Sequence, residues 1–233
     1  MKNSQILNKK NLPLVFIPAR GGSKRIRNKN IKKLGKNPLI HYPIENAKQL
    51  GFEVIVSTDS AEIASYSYSK NASVHNRPKN ISKDSSTVEE AIKHYLKKNQ
   101  NNLNGEQIII ILSACSPFLK SETIGKALKI FAKSSIDCLF STHESYADYW
   151  VVSENNLKRI RKDEPRRQQD RKPFFIENSS FYITRVSNLL SKKYLIDGIN
   201  KNYNISSIEG FDINDNSDFL IAEFIQKNLS KFL

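Results

Sequence analysis

The chain is poor in the residues that build disulfide frameworks and metal clusters. Its 233 residues include two cysteines, Cys115 and Cys138, and four histidines, whose spacing is not that of a ligand set. Two cysteines do not make the disulfide framework of a secreted scaffold, and they lack the spacing of a structural zinc site. We therefore expect a protein of a reducing compartment, the cytoplasm.

Long apolar runs are also missing. The first residues, MKNSQILNKKN, form a short polar segment without the apolar region of a secretory signal. No apolar run approaches the roughly 20 residues that a helix needs to cross a bilayer. The sequence therefore predicts a soluble cytoplasmic chain with no membrane partner.

Negative charge is scarce relative to positive charge. The 37 Lys and Arg residues against 23 Asp and Glu residues give a net charge of +14. That excess admits nucleic acid, a membrane surface or a small polyanionic substrate as partner, and part of it is equally explained by solubility. The basic residues lack aromatic interleaving or a recognition motif, which argues against a nucleic-acid-binding module with steeply salt-dependent binding.

Short apolar runs rich in β-branched residues predict strands buried on both faces of a parallel sheet. They are Leu14–Pro18, Glu53–Thr58, Gln107–Ser113 and Asp137–Thr142. Segments with helical periodicity lie between them, at 37–51, 86–98 and 121–133. In the first segment Pro38 is expected near the first turn and Gly51 at the end, whereas Pro43 should kink or shorten the helix. The alternation predicts an α/β fold with a doubly wound, mostly parallel, Rossmann-like sheet, which binds ligands at the carboxyl ends of its strands.

After Thr142 the alternation stops. The sequence there predicts a hairpin with its turn at Asn155–Asn156, then a basic loop and a strand near Phe181–Thr184. An acidic loop and an amphipathic helix end the chain. We interpret the chain as one domain, 1–233, with an inserted dimerisation or substrate lobe at about 143–200.

The loop after the first strand, IPARGGSKRIRNKN, concentrates positive charge. Gly21 and Gly22 permit a sharp turn and close approach to a ligand, and backbone N–H groups after such a turn can bind anionic oxygens. Arg20, Lys24 and Lys29 add cations at the same place. The loop is neither a Walker A motif nor G-x-G-x-x-G, so it is either an anion site of another kind or an ordinary basic surface loop.

This loop resembles the nucleotide-binding signature of CMP-nonulosonate synthetases, the acylneuraminate cytidylyltransferase family. Further segments resemble the family in the same order: VIVSTDSAEIA, RPKNISKDSSTVEEAIKH, LSACSPFLKSETI, RRQQDRKPFFIENSSFYI and FDINDNSDFLIAE. Six segments in order identify a member more specifically than any one of them. The resemblance implies a nucleotidyltransferase-type fold and a reaction in which a 2-keto sugar acid attacks the α-phosphate of CTP, giving a CMP-sugar and pyrophosphate.

The resemblance also implies a set of nucleotide-binding residues. They are Arg20, Gly21, Ser23, Lys24, Lys29, Asn30, Arg77, Asp84 and Ser86. Lys29 and Asn30 are expected nearest the reacting group, and Arg20, Lys29 and Asp212 are the expected catalytic residues. The alternatives are that Arg77 is solvated in an extended turn and that Asp84 and Ser86 only cap a helix.

Sugar and metal sites are implied in the same way. The expected sugar-binding residues are Tyr149, Arg167, Gln168, Asn178 and Tyr182. Asp212 and Asn214 are expected to bind Mg²⁺. The family pattern here is Asp-Ile-Asp, so the uncharged Asn214 should weaken the metal site or shift it to a neighbour such as Asp215.

Other departures leave the substrate and the activity open. Compared with the pattern of the family that it resembles, the chain has Ser113 where Gln is usual and Leu119 where Arg is usual. It has Asn-Ser-Ser, beginning at Asn178, where Asn-Gly-Ala is usual. The resemblance implies an N-acylneuraminate or legionaminate type of substrate, in cell-surface polysaccharide biosynthesis, and a homodimer in which SKKYLIDGIN reaches the neighbour's site. The alternatives are a Kdo-type enzyme for an eight-carbon acid and a nucleotide-binding homologue with weak or no turnover.

Overall fold

A computed structural model describes residues 12–232, so the polar opening segment MKNSQILNKKN lies outside the described residues. The strands are β1 (Leu14–Pro18), β2 (Lys33–Leu34), β3 (Asn37–Pro38), β4 (Glu53–Thr58), β5 (Ser73–Asn76), β6 (Ile108–Leu112), β7 (Cys138–Ser145), β8 (Trp150–Ser153), β9 (Asn156–Arg159), β10 (Phe174–Arg185) and β11 (Asn200–Asn204). The α-helices are α1 (His41–Gln49), α2 (Ala61–Ser69), α3 (Val88–Lys98), α4 (Ser121–Ala132), α5 (Val186–Ser191), α6 (Asn216–Lys227) and α7 (Leu229–Phe232).

A seven-stranded sheet in the order β11-β7-β10-β6-β1-β4-β5 forms the centre of the fold. Its strands pair in parallel except β10, which runs antiparallel to both β6 and β7. The chain passes from β1 to β4 on one side and later returns to place β6 on the other, so a topological switch point lies between β1 and β6. The predicted doubly wound, mostly parallel α/β fold is confirmed.

Strand β1 is buried on both faces because its side chains alternate between two cores. Val15 and Ile17 join the core beneath α1 and α4, whereas Leu14 and Phe16 join the core beneath α3. This two-sided burial explains why the strand is continuously apolar.

The first helix differs from its prediction. Helix α1 begins at His41, and Pro38 lies in the short strand β3. Pro43 is the third residue of α1, where a backbone N–H has no partner within the helix, so the proline causes no kink. Gly51 follows the helix with φ of 74°, as expected of a glycine at a helix end.

The predictions beyond Thr142 need two corrections. The hairpin turn is Glu154–Asn155, one residue earlier than predicted, with Glu154 in the left-handed region at φ of 51°. Strand β10 begins at Phe174 because it pairs with the extended end of β7. Within the span 143–200, β10 belongs to the central sheet, whereas the β8–β9 hairpin forms a separate two-stranded sheet.

None of the helices within residues 12–232 combines the length and the apolar character needed to cross a membrane.

Candidate active site

A cleft of about 420 Å³ opens at the carboxyl ends of β1 and β6. This is the switch point, where open α/β sheets bind ligands. The lining includes four residues of the opening loop, Arg20, Ser23, Lys29 and Asn30. Arg77, the start of α3, residues 113–115 and Tyr182 complete most of the wall.

Close packing holds the opening loop against the start of α2. The backbone N–H of Gly21 donates to Asp59 Oδ1 at 2.9 Å. The resemblance implied that Gly21 binds the nucleotide, but in this structure its N–H is already used by Asp59. A Cβ added at Gly21 would lie 2.9 Å from Ser60 Cβ, whereas one added at Gly22 would meet nothing within 4 Å. A side chain at position 21 would therefore force the loop or Ser60 to shift.

Asn30 fixes the other end of the loop. Its side chain is buried, and its Nδ2 donates to the carbonyl of Arg20 at 2.9 Å. Its Oδ1 has no hydrogen-bond partner within residues 12–232. Asn30 therefore sets the shape of the loop and also lines the cleft, while its contact with a nucleotide stays a prediction.

Lys29 connects the opening loop to the acidic turn before α6. Its Nζ donates to the carbonyl of Ile213 at 2.7 Å, between Asp212 and Asn214. Burial raises the pKa of Asp212, and the charge of Lys29 opposes that rise. Burial likewise raises the pKa of the Cys115 thiol, which Lys29 also opposes. Of the three predicted catalytic residues, Arg20 and Lys29 thus line the cleft, and Lys29 also reaches the turn that carries Asp212, which lines an adjoining pocket.

Asp84 is the counter-ion of the loop cations in this structure. Its carboxylate pairs with Arg20 at 2.5 Å and with Lys24. Hydrogen bonds from Lys24 and Arg20 hold the pKa of Asp84 below its usual range. Asp84 and Lys24 are not among the residues that line the cleft. A ligand anion at Arg20 would compete with Asp84.

Arg77 is buried rather than solvated, with 8% of its surface exposed. Its Nε donates to Ser57 Oγ at 3.1 Å and its Nη2 to the Ser57 carbonyl at 2.9 Å. Burial lowers the pKa of Arg77, and Asp59 opposes the shift. Arg77 is therefore a cation held in the wall of the cleft.

Ser86 lines the cleft but does not cap helix α3. Its Oγ accepts from the backbone N–H of Lys83 at 3.1 Å. The cap is Thr87, which forms a capping box with Glu90. The capping alternative for Ser86 is thereby removed.

The acidic turn carries a contact that the sequence reading missed. Arg25, in the opening loop, donates from Nη2 to Asn214 Oδ1 at 3.2 Å. Asn214 Nδ2 donates in turn to Asp212 Oδ2 at 2.8 Å. Asp218 accepts from the Asn214 backbone N–H and completes a capping box with Asp215 at the start of α6.

These contacts limit the metal that the turn could hold. Within residues 12–232 no group of three or more His, Cys, Asp or Glu side chains is arranged around a common ion position. Asp212 offers one carboxylate, and the amide oxygen of Asn214 is already used by Arg25. The turn fits a magnesium ion held by a single carboxylate, with ligand phosphates and water as the other oxygens.

A second pocket of about 350 Å³ adjoins the cleft at Ser179. Its walls include His143, Glu177, Asn178, Asp212 and Asn214. The acidic turn therefore lines the second pocket, and Ser179 of β10 lines both pockets.

Strand β10 shapes the wall between the two pockets. Asn178 Oδ1 accepts from Ser141 Oγ at 2.6 Å, which fixes a register shift in β10. Ser179 adopts φ of 57°, a conformation that explains why glycine is usual there. The Tyr182 hydroxyl donates to the Glu177 carboxylate. Burial is the main cause that raises the pKa of Tyr182, and the hydrogen bond to Glu177 raises it further. The sequence reading did not single out Glu177.

The remaining predicted sugar-binding residues lie outside both of these pockets. Arg167 and Gln168 are exposed, and Arg167 lies 3.7 Å from Asp170 in its own loop. Tyr149 packs edge-on against Phe174 with ring centroids 4.9 Å apart. The structure therefore does not bring these three side chains to the cleft of the same chain.

Comparisons with known proteins identify the family of this chain. A family model described as Cytidylyltransferase matches residues 14–228. The N-acylneuraminate cytidylyltransferase of Streptococcus agalactiae serotype V is 25% identical over 217 residues, covering 89% of this chain and 52% of that protein. The chain thus spans about half the length of this relative. The CMP-N,N'-diacetyllegionaminic acid synthase of Legionella pneumophila is 30% identical over 223 residues, covering 90% of this chain and 94% of that protein.

A solved structure shows the same fold. CMP:2-keto-3-deoxy-manno-octonic acid synthetase complexed with CTP superposes with a TM-score of 0.69 and 17% identity, covering 95% of this chain and 100% of that one. With the family match across nearly the whole length, the conclusion is that this chain belongs to the cytidylyltransferase family, as a member of its CMP-nonulosonate synthase group.

Proposed function

We propose that the protein joins CTP to a nonulosonic 2-keto sugar acid and releases pyrophosphate. The observation that carries the proposal is the cationic loop at the switch point, which Lys29 connects to the acidic turn in the wall of the adjoining pocket. A triphosphate supplies the negative charge that this loop can bind, and the second pocket provides room for a sugar acid. The relatives named above for acylneuraminate and diacetyllegionaminate support this substrate class.

In the proposed reaction the anomeric hydroxyl of the sugar acid attacks the α-phosphorus of CTP. A new oxygen–phosphorus bond forms, the bond to the β-phosphate oxygen breaks, the hydroxyl proton is lost, and pyrophosphate leaves. Arg20 and Lys29 bind the phosphate oxygens and offset the charge that develops on them. Asn30 holds the loop in the shape that presents both cations, so the chain contributes mainly positioning and charge.

Magnesium is part of this proposal, and Asp212 is the residue that would hold it. When bound, the ion supplies positive charge beside the phosphates. The amide oxygen of Asn214 carries no charge and already accepts from the cationic Arg25, which makes it a poor metal ligand. We therefore propose a one-carboxylate site, weaker than the two-carboxylate site of the family pattern.

The sugar acid is assigned to the pocket formed by His143, Glu177, Asn178 and the acidic turn. Its type is proposed as N-acylneuraminate or legionaminate, the class named for the relatives. The free thiols of Cys115 and Cys138 are consistent with a reducing cytoplasm.

A substrate panel tests this function. The protein is incubated with CTP, Mg²⁺ and, in separate reactions, N-acetylneuraminate, diacetyllegionaminate and the eight-carbon Kdo, and pyrophosphate is measured. We expect release with at least one nine-carbon acid and none without a sugar acid. Release with Kdo alone would transfer the function to the eight-carbon class, and silence with every acid would leave a homologue without turnover.

We also propose that the protein is a homodimer formed through the β8–β9 hairpin. A two-stranded hairpin is marginally stable alone. This hairpin exposes Trp150, Val152 and Leu157, the second of them to 81%. A contiguous exposed apolar surface of this kind marks a protein interface. The inserted lobe at about 143–200 is accordingly proposed to serve in dimerisation.

Replacing Val152 with lysine should convert the dimer to a monomer, because a charge would be buried in the interface. Size-exclusion chromatography with light scattering measures the mass, and Tyr68→Lys, at an exposed position on α2, is the matched control. A wild-type protein that is monomeric at micromolar concentration, or a Val152→Lys protein that remains dimeric, contradicts this interface.

Gly21→Ala should raise the KM for CTP about tenfold, because the added methyl group displaces the loop from Ser60. Gly22→Ala is the control, since its Cβ meets no atom within 4 Å. Steady-state kinetics of both proteins provide the comparison. Equal KM values would show that the packing of the loop on Ser60 does not shape the nucleotide site.

A further inference from the structure

A buried chain of hydrogen bonds runs from the cleft to helix α3. Arg77 Nε donates to Ser57 Oγ at 3.1 Å, Ser57 Oγ lies 2.9 Å from His75 Nδ1, and His75 Nε2 lies 2.8 Å from His94 Nδ1. Ser57 is fully buried and His75 nearly so, while His94 is partly exposed on α3. The histidines showed no ligand spacing in the sequence, and none of the steps proposed above uses them.

The arginine and the burial of the Ser57 hydroxyl together favour one direction for the hydrogen bonds in this chain. A guanidinium can only donate, so Ser57 Oγ accepts from Arg77 and its own proton is free for His75 Nδ1. His75 then carries its proton on Nε2 and donates to His94 Nδ1. In the opposite direction the Ser57 proton would be buried without an acceptor, which costs free energy. The arrangement therefore selects the neutral Nε2–H tautomer of both histidines.

We propose that Ser57 and His75 are positioning residues that hold Arg77 in the cleft wall for CTP, with His94 as the outer end of the relay. The nucleotide part of this inference rests on the proposed function. Ser57 occupies two nitrogens of Arg77, and within the described residues Nη1 has no hydrogen bond. The relay thus leaves Nη1, with its two N–H bonds, for the ligand. The hydrogen bonds of Nε and Nη2 hold the guanidinium plane in a fixed orientation.

Protonation of a histidine breaks the relay. A proton on His94 Nδ1 would face His75 Nε2–H, so the relay would have to reverse and leave the Ser57 hydroxyl without an acceptor. Burial, then His94, Arg77 and Lys98, lower the pKa of His75 to about 4. Burial and Lys98 also lower the pKa of His94. The Tyr95 ring faces His75 from α3, and the Asp59 charge acts on Arg77.

The sign of the pH dependence follows. Both histidines have a pKa below the ordinary 6.5, so the folded state favours the neutral rings. The relay is complete at pH values above 6.5, and it is lost as the pH falls through the lowered pKa values of the two histidines.

Nitrogen-15 NMR of the imidazole rings tests the relay itself, without any nucleotide. The expected spectrum at pH 7.5 shows His75 protonated on Nε2 alone, and Arg77→Met should release that preference. A His75 that is protonated on Nδ1 at pH 7.5, or is unchanged in Arg77→Met, overturns the relay.

Calorimetric titration with CTP tests its effect on the cleft. Ser57→Ala should weaken CTP binding about threefold to tenfold, the range for one hydrogen bond, and should add nothing when combined with Arg77→Met. Additive losses would assign Ser57 a general structural role and overturn the inference. If the wild-type protein binds no CTP, the proposed function fails and the nucleotide part of the inference fails with it, while the NMR result still decides the relay.

His94→Gln is the surface variant that leaves the buried residues intact. Glutamine keeps an acceptor for His75 but cannot be protonated. Between pH 7.5 and 5, CTP affinity should fall more in the wild-type protein than in His94→Gln. Parallel curves would show that the histidine end of the relay does not act on Arg77.

Discussion

Replacing Lys29 with methionine should lower kcat about 100-fold to 1,000-fold, the loss typical when one donor to a developing charge is removed. Lys29 lies in the cleft wall, and its ammonium group bonds the carbonyl of Ile213 in the acidic turn. Methionine keeps the length and apolar contacts of the side chain, so the loss should come from the charge. Pyrophosphate release under saturating CTP and sugar acid measures it.

Arg27 provides the control for this prediction. It is exposed in the same loop and does not line the cleft. Arg27→Met removes one positive charge from the loop as Lys29→Met does, and it should keep kcat within about twofold because exposed charges are screened. Similar kcat losses in both variants would mean that the overall field of the loop, rather than the placement of Lys29, drives the reaction.

Asp212→Asn should reduce the rate at least about 100-fold and remove its dependence on magnesium concentration. Asp212 is a partly buried carboxylate of the acidic turn, and a divalent cation prefers a charged oxygen ligand. Asparagine has nearly the same shape, so the fold should be retained. The rate is measured across a magnesium titration, with circular dichroism to confirm folding.

Asp215→Asn removes a carboxylate three residues away and should preserve activity. Asp215 is the N-cap of α6, a position where asparagine caps equally well. Asn214→Asp, which restores the family's second carboxylate, should lower the magnesium concentration needed for half-maximal rate. A full rate in Asp212→Asn, or a loss in Asp215→Asn as large as in Asp212→Asn, would place the metal at Asp215 or elsewhere.

The apolar strands were predictable from sequence because their burial on two faces leaves a continuous signal. Both Leu14–Pro18 and Glu53–Thr58 have the predicted bounds. Strand β5 (Ser73–Asn76) and strand β11 (Asn200–Asn204) were missed because they are edge strands with polar side chains. Their existence depends on pairing with neighbours far along the chain, which local pattern does not report.

The candidate site was partly predictable for a similar reason. Arg20, Lys29 and Asn30 sit in one short loop, so a local motif places them together. The contact of Arg25 with Asn214 joins residues 189 positions apart and leaves no local signal. The burial of Arg77 against Ser57 likewise depends on the pairing of β4 with β5.

A crystal structure of the protein with CTP and magnesium tests the central claim most directly. The account predicts the triphosphate in the cleft at the ends of β1 and β6, against Arg20 and Lys29, with Asp84 displaced from Arg20. A nucleotide bound elsewhere, with the Arg20–Asp84 pair intact and the opening loop empty, would contradict it.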